Sequence, residues 1–283
     1  MAESRCAGAD FAFSSPVHHP RWNASPGSGS GTAAASALER RQYCCAEDPV
    51  AEPFQLHLIT DRRRCSGDLS EVVRRALAGG VDWVQVREKS APALETYSLG
   101  LRVRDACREV GAGLIVNDRI DIALAIAADG VHLGKKSLPP AAVRPLLAPG
   151  QLIGVSVHSL EEAVCAVRGG ADYLAFGNVF ATDSHPGAPA KGVVVLRTLV
   201  EMLEVPVLAI GGVTPENVAA VLATGCAGVA VIGAILAAAD PAAAAARLRD
   251  ALQRPAFQPR HPFPPRATRE HTPLRRYERA SPR

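Results

Sequence analysis

Between residues 56 and 233 short apolar runs alternate with longer amphipathic stretches. The runs LHLIT, VDWVQVRE, AGLIVN, GVHLG, QLIGVSV, DYLAFGNVF, VPVLAI and GVAVIG are rich in Val, Ile and Leu and read as strands. The stretches DLSEVVRRALAGG, APALETYSLGLRVRDACREV, SLEEAVCAVRGG, TPENVAAVLATG and PAAAAARLRDALQ read as helices. In SLEEA, Ser159 and Glu162 are spaced as in a capping box. Apolar strands each followed by a helix predict a parallel sheet covered by helices. About eight such units over roughly 200 residues predict a single (β/α)8 TIM barrel. A doubly wound sheet is the structural alternative. It would place a Gly-rich phosphate turn after the first strand, where ITDRRRCSGD stands instead.

The flanks lack this pattern. NASPGSGSGTAAASA has the composition of a flexible linker, and its GSGSG follows no strand, so it is not a phosphate loop. The end of the chain is rich in Pro and Arg. The expected organisation is a disordered low-complexity extension over 1–53, a barrel over 54–253 and a disordered tail over 254–283. His18 and His19 fall in the first extension and read as solvated.

The formal net charge is +3, with part of the basic excess in the tails. It forms no patch on a folded segment and argues against nucleic acid. No apolar run approaches the ~20 residues of a membrane span, and the N-terminus lacks the apolar core of a secretory signal. The seven cysteines form no C-x-x-C pair, which argues against a zinc site or redox motif. A cytoplasmic protein is expected. A homo-oligomer is left open.

In a barrel, chemistry sits at the C-terminal ends of the strands. After the second strand come Gln85, Arg87 and Lys89. Period-2 alternation aims all three into the mouth, where an amide and two cations suit an anion. After the third come Asn117 and Asp118. Asp118 is either a ligand for a hard cation or the cap of the helix that follows. Lys135, Lys136 and Ser137 follow the fourth, with Ser137 a candidate cap. At the end of the fifth stand Ser156 and His158, the latter able to move protons near neutrality. The long loop after the sixth carries Thr182, Ser184 and His185. Gly211 and Gly212 follow the seventh, before a helix expected to open at Thr214-Pro215-Glu216, and Ile232 and Gly233 follow the eighth. Small residues there let backbone N–H groups approach a phosphate.

VQVREK, LIVNDRIDIALAIAADGVHLG, IGVSVHSLEEA, ADYLAFGNVF, VLAIGGVTPENV and GVAVIGAI together resemble the thiamine phosphate synthase/TenI family. The resemblance runs in order from about Leu56 to Gln253. It implies a TIM barrel with one of two activities. Thiamine phosphate synthase joins a pyrimidine methyl pyrophosphate to a thiazole phosphate, with Mg2+ on the pyrophosphate. Thiazole tautomerase (TenI) aromatises a carboxythiazole phosphate by moving a proton, and needs no cofactor. The family pattern implies that Gln85, Arg87, Lys89, Asn117 and Asp118 contact pyrophosphate and metal. It also implies a second acidic metal ligand where this chain has Ser137, and a lysine where it has His185. Lysines beside a dication would repel it by several kcal/mol, on the order of Coulomb energies at intermediate dielectric.

The first reading is therefore the tautomerase. His158 is its general acid/base, Gln85, Arg87, Lys89, Asn117, Ser156, Thr182 and Ser184 bind the substrate, and Gly211, Gly212, Ile232 and Gly233 bind the phosphate. The alternative is the synthase, with Asp118 holding Mg2+. A second alternative is a non-catalytic sensor of a phosphorylated ligand. In each the partner is a small thiazole phosphate.

Overall fold

Each apolar run forms one strand: β1 Gln55–Ile59, β2 Trp83–Val86, β3 Gly113–Asn117, β4 Gly130–Leu133, β5 Leu152–Val157, β6 Tyr173–Gly177, β7 Val207–Ile210 and β8 Gly228–Val231. The computed structural model describes residues 54–65, 67–183, 187, 189–253 and 256–264. The eight strands pair in chain order and close into a barrel. All pairings are parallel, and Gln55 opposite Gly228 joins the last strand to the first. The extension assigned to residues 1–53 lies outside the described residues.

Some helices open on a polar side chain that satisfies orphan N–H groups of the first turn. Asp68 Oδ1 accepts from the amides of Ser70 (2.7 Å) and Glu71 (3.3 Å) at the start of α1, Leu69–Ala78. α2 runs Ala93–Val110 and stops at Gly111, which is left-handed at φ 75°. α3 covers Ile120–Ala125 and α4 Pro140–Val143. Ser159 Oγ accepts from Glu162 N at 3.2 Å at the head of α5, Leu160–Arg168. α6, α7 and α8 are Gly192–Met202, Val218–Leu222 and Gly233–Leu236, and Asp240 caps α9, Pro241–Leu252.

One expected start moves. α7 begins at Val218 rather than at Thr214. Asn217 folds back instead: its Oδ1 accepts from Thr214 N (2.9 Å) and its Nδ2 donates to Gly212 O (2.8 Å). That side chain braces the turn after β7.

The odd strands are fastened by a repeated device at the N-terminal end of the barrel. Asp82, Asp129 and Asp172 each stand just before an even strand. Their carboxylates accept the amides of Leu56 (2.7 Å), Leu114 (2.8 Å) and Ile153 (2.6 Å) on the preceding odd strand. Arg249 of α9 binds Asp82 and donates to Phe54 O at 2.8 Å and Gly80 O at 3.0 Å, tying the last helix to the first strands.

Outward-facing Leu, Ile and Val of the strands pack against the helices as one continuous core. Inside the barrel a second cluster holds Trp83, Ile115, Tyr173, Leu208, Ala227 and Phe263. Phe263 belongs to the segment assigned to the Pro/Arg-rich tail, yet residues 256–264 return to the barrel. Arg260 N donates to Gly225 O at 2.9 Å. The Phe263 ring lies 4.7 Å from His57, 4.8 Å from Tyr173 and 5.2 Å from Trp83. The packed unit therefore extends past the boundary drawn at 253, because a phenylalanine supplies apolar bulk that the barrel interior lacks. Residues 265–283 lie outside the described residues.

Candidate active site

The barrel interior changes character along its axis. Below are the aromatic rings; above, at the strand C-termini, the inward positions carry Gln85, Asn117, His132 and Ser156. Register places Asn117 opposite His132 and Ser156 opposite Ala175. These groups bind one another. Gln85 Nε2 donates to Asn117 Oδ1 (3.0 Å), and Asn117 Nδ2 donates to Asp118 Oδ2 (2.7 Å). His132 Nε2 meets Ser156 Oγ at 2.8 Å, and its Nδ1 meets the Tyr173 hydroxyl at 3.1 Å. Burial pulls the His132 pKa down to about 4, so the ring is neutral near pH 7. His132 is not among the residues that the sequence singles out. The one trace in the sequence is the alternation Val131–His132–Leu133, which sets the imidazole on the face of β4 opposite its two apolar neighbours.

Asp118 adopts a left-handed backbone, φ 59°, which Asp tolerates better than most residues. It does not cap α3, whose N-cap is Arg119 without a side-chain bond. The turned backbone instead sends its carboxylate across to the β4 loop. There Oδ1 accepts from Gly134 N at 3.1 Å and from the Ser137 hydroxyl. Ser137 likewise caps nothing, since α4 begins after Pro139; its Oγ accepts from Gly134 N at 2.7 Å.

β2 ends at Val86, so alternation governs Gln85 but not Arg87 and Lys89, which lie on the loop beyond. The Arg87 amide donates to Thr60 Oγ1 at 2.8 Å. Glu88 turns away and pairs with Arg62 at 2.5 Å, its side chain 2% exposed. The Arg87 guanidinium is half-buried and, among the described residues, has no hydrogen-bond or ion-pair partner. Burial lowers its pKa, Asp61 and Asp118 raise it, and Arg63 lowers it, with a net downward shift. The charge of Arg87 is also the main cause lowering the Lys89 ammonium. Two cations thus stand close together with no carboxylate bound to Arg87, a ready seat for an anion.

Across the mouth the backbone is bare. Gly211 and Gly212 are left-handed at φ 98° and 66°. A Cβ on Gly211 would lie 2.6 Å from Asn178 Cβ, and one on Gly212 would lie 2.3 Å from Ala181 O. No other residue fits that turn. Ile232 and Gly233 follow β8, which pairs with β7. Thr182 is half-buried on the β6–α6 loop, while Ser184 and His185 lie outside the described residues.

His158 sits one residue beyond β5, exposed on the rim. Its amide donates to Glu162 Oε2 at 2.7 Å and its Nδ1 lies 3.3 Å from the same oxygen. Lys135 reaches the other Glu162 oxygen at 3.6 Å. The capping box is therefore half made. Ser159 caps α5, but Glu162 bonds the amide before the cap. The expected proton carrier is an exposed residue engaged with α5, while the desolvated imidazole of the mouth is His132.

Could these residues hold the Mg2+ that the family implies? Mg2+ keeps several waters and takes one or two carboxylates plus substrate phosphates. Asp118 meets that need as a single carboxylate beside the Arg87 and Lys89 cations. Ser137 offers only a neutral hydroxyl. Among the described residues no group of three or more His, Cys, Asp or Glu could hold a metal, so the substrate would have to complete the shell. A hollow of about 560 Å3 between α1 and α2 is lined by Arg62, Asp68, Glu95, Ser98 and Arg102 and by none of these groups. Among the described residues no helix is long and apolar enough to cross a membrane.

The family described as thiamine monophosphate synthase matches residues 56–235. A thiamine-phosphate synthase of Moorella thermoacetica is 48% identical over 185 residues, covering 65% of this chain and 88% of its own. One from Desulfitobacterium hafniense is 45% identical over 203 residues, covering 71% of this chain and 98% of its own. Among solved structures, a thiamine phosphate pyrophosphorylase from Pyrococcus furiosus superposes with a TM-score of 0.66 at 44% identity. It covers 71% of this chain and 96% of that one. The matched stretch is the barrel that carries the cationic rim and the glycine turns, and the chain belongs to the thiamine monophosphate synthase family, as an enzyme of thiamine biosynthesis.

Proposed function

We propose that the chain is a thiamine-phosphate synthase, joining hydroxymethylpyrimidine diphosphate to a thiazole phosphate with release of pyrophosphate. The observation that carries this reading is the half-buried, unpartnered Arg87 guanidinium beside Lys89 and Asp118. The names of the relatives support it too, and they favour the alternative over the tautomerase.

The chemistry agrees with what the mouth lacks. In the coupling, the C–O bond at the pyrimidine methylene breaks and its electron pair leaves with pyrophosphate. The thiazole nitrogen lone pair forms the new C–N bond, leaving a thiazolium cation. No proton moves, so the reaction needs stabilised negative charge rather than a base. Arg87 and Lys89 supply donors where that charge develops, an effect that is strongest in a site shielded from water. Gln85, Asn117 and Ser156 offer amide and hydroxyl groups to the pyrimidine. Neutral His132 holds the Ser156 hydroxyl in place. Gly211, Gly212, Ile232 and Gly233 receive the thiazole phosphate, and Thr182 borders it from the loop. Asp118 would hold Mg2+, which when bound neutralises charge on the pyrophosphate. His158 has no step in this reaction.

The test is direct. Purified protein given both substrates and Mg2+ is expected to release thiamine phosphate and pyrophosphate in equal amounts, and His158→Ala is expected to retain this coupling. Absence of product, together with His158-dependent aromatisation of the carboxythiazole phosphate, would reject the proposal and restore the tautomerase.

A further inference from the structure

Three consecutive arginines, Arg62, Arg63 and Arg64, form a 3-10 turn directly after β1. Two have their charges met by carboxylates: Arg62 pairs with Glu88 at 2.5 Å and Glu95 at 3.0 Å, and Arg63 with Asp61 at 3.1 Å. Arg64 differs. Among the described residues its guanidinium has no hydrogen-bond or ion-pair partner, although the side chain is half-buried. It lies instead over the backbone after β8, the strand that pairs with β1. Apart from the chain neighbours and the backbone of α8 itself, a Cβ built on Gly233 would have Arg64 Nη1 at 3.4 Å as its one neighbour within 4 Å among the described residues. The guanidinium therefore faces the space that the glycine leaves at the head of α8.

We infer that Arg64 is a side-chain ligand of the thiazole phosphate, clamping the monoester against the backbone at Gly233. This rests on the synthase reading and deepens it by naming a residue that selects the phosphorylated thiazole over its alcohol. Backbone amides can orient a phosphate, but they carry no net charge. A guanidinium facing the same space supplies it, with paired N–H donors matched to phosphate oxygens. Arg87 and Lys89 belong to the β2 loop and the pyrophosphate. Arg64 gives the second anion its own cation.

Binding of the thiazole phosphate, of the thiazole alcohol and of inorganic phosphate is measured by calorimetry on the full chain and on Arg64→Ala and Arg64→Lys. Steady-state coupling is followed in parallel. Arg64→Ala is expected to weaken thiazole phosphate about tenfold to a hundredfold, the loss of a hydrogen bond between charged partners. KM for the pyrimidine diphosphate and affinity for the alcohol should stay unchanged, inorganic phosphate should compete less well, and Arg64→Lys should recover part of the loss. Unchanged phosphate binding in Arg64→Ala, or equal loss for phosphate ester and alcohol, overturns the inference. Failure of the synthase reading looks different: no product forms, while wild type still binds thiazole phosphate and Arg64→Ala does not.

Discussion

Acid should unfold this protein through two histidines before its carboxylates begin to titrate. His57 stacks on Trp83 at 5.8 Å inside the barrel, and its Nε2 has no hydrogen-bond partner. Burial, then the charges of His132 and Arg249, pull its pKa down to about 3. Burial pulls His132 down to about 4. In the unfolded chain both titrate near 6.5. Because the folded values lie below the unfolded one, the unfolded state takes up protons first, and stability falls as pH drops below 6.5. Each histidine loses about 1.4 kcal/mol per pH unit in that window. Between pH 7 and pH 5 the pair removes about 4 kcal/mol, a large part of a typical domain's stability. Asp82 works the other way, since burial raises its carboxyl despite Arg249. Urea unfolding at pH 7, 6 and 5, followed by tryptophan fluorescence and circular dichroism, reads the effect as a falling midpoint. In His57→Phe, which keeps the ring cluster but removes one titrating group, the slope should be roughly halved. A midpoint that stays level from pH 7 to 5, or a His57→Phe slope equal to wild type, would refute the reasoning.

Three further outcomes are expected. Arg87→Ala should lower kcat/KM for the pyrimidine diphosphate by about a hundredfold or more, with Arg87→Lys intermediate, since a preorganised donor to developing charge is lost; initial rates at varied pyrimidine diphosphate check it. Ser137→Asp sets a second carboxylate beside Asp118, so the Mg2+ concentration for half-maximal rate should fall, while the metal-free protein should melt earlier from like-charge repulsion. Phe263→Ala empties a site ringed by His57, Trp83 and Tyr173, and should cost about 3–5 kcal/mol by denaturant unfolding. Its kcat should be unchanged, because the plug sits at the end of the barrel away from the mouth.

Much of the candidate site is legible because barrel chemistry is confined to strand ends, and each strand can be found by its apolar run. Gln85, Arg87, Lys89, Asn117, Asp118 and the glycine pair become candidates that way, and the structure sets them at the strand C-termini or on the loops just after them. Orientation was less legible. Asp118 read equally well as a helix cap or as a ligand, and only its left-handed backbone sends the carboxylate toward Gly134 and Ser137. His158 stood at the right strand end, but Glu162 one helical turn later engages it on the rim. His132 was hidden inside GVHLG because its place depends on which face of β4 turns inward. Phe263 was hidden by its setting, since a Pro- and Arg-rich segment carries no periodicity to mark one ring as buried.

The sequence by itself determined the architecture, because burial on both faces of eight strands and one face of each helix leaves a periodic trace in the order of residues. It also determined the family, since motifs spread along the barrel occur in one order. Which cations stay free was decided only by tertiary structure. Arg62, Arg63 and Arg64 are identical in sequence, and Arg87 and Glu88 are adjacent. Asp61 meets Arg63 across a local turn, but only the closing of the barrel brings Glu88 and Glu95 to Arg62, and it leaves Arg64 and Arg87 without an ion-pair partner among the described residues. Charge pairing depends on distance in space, and distance along the chain does not report it.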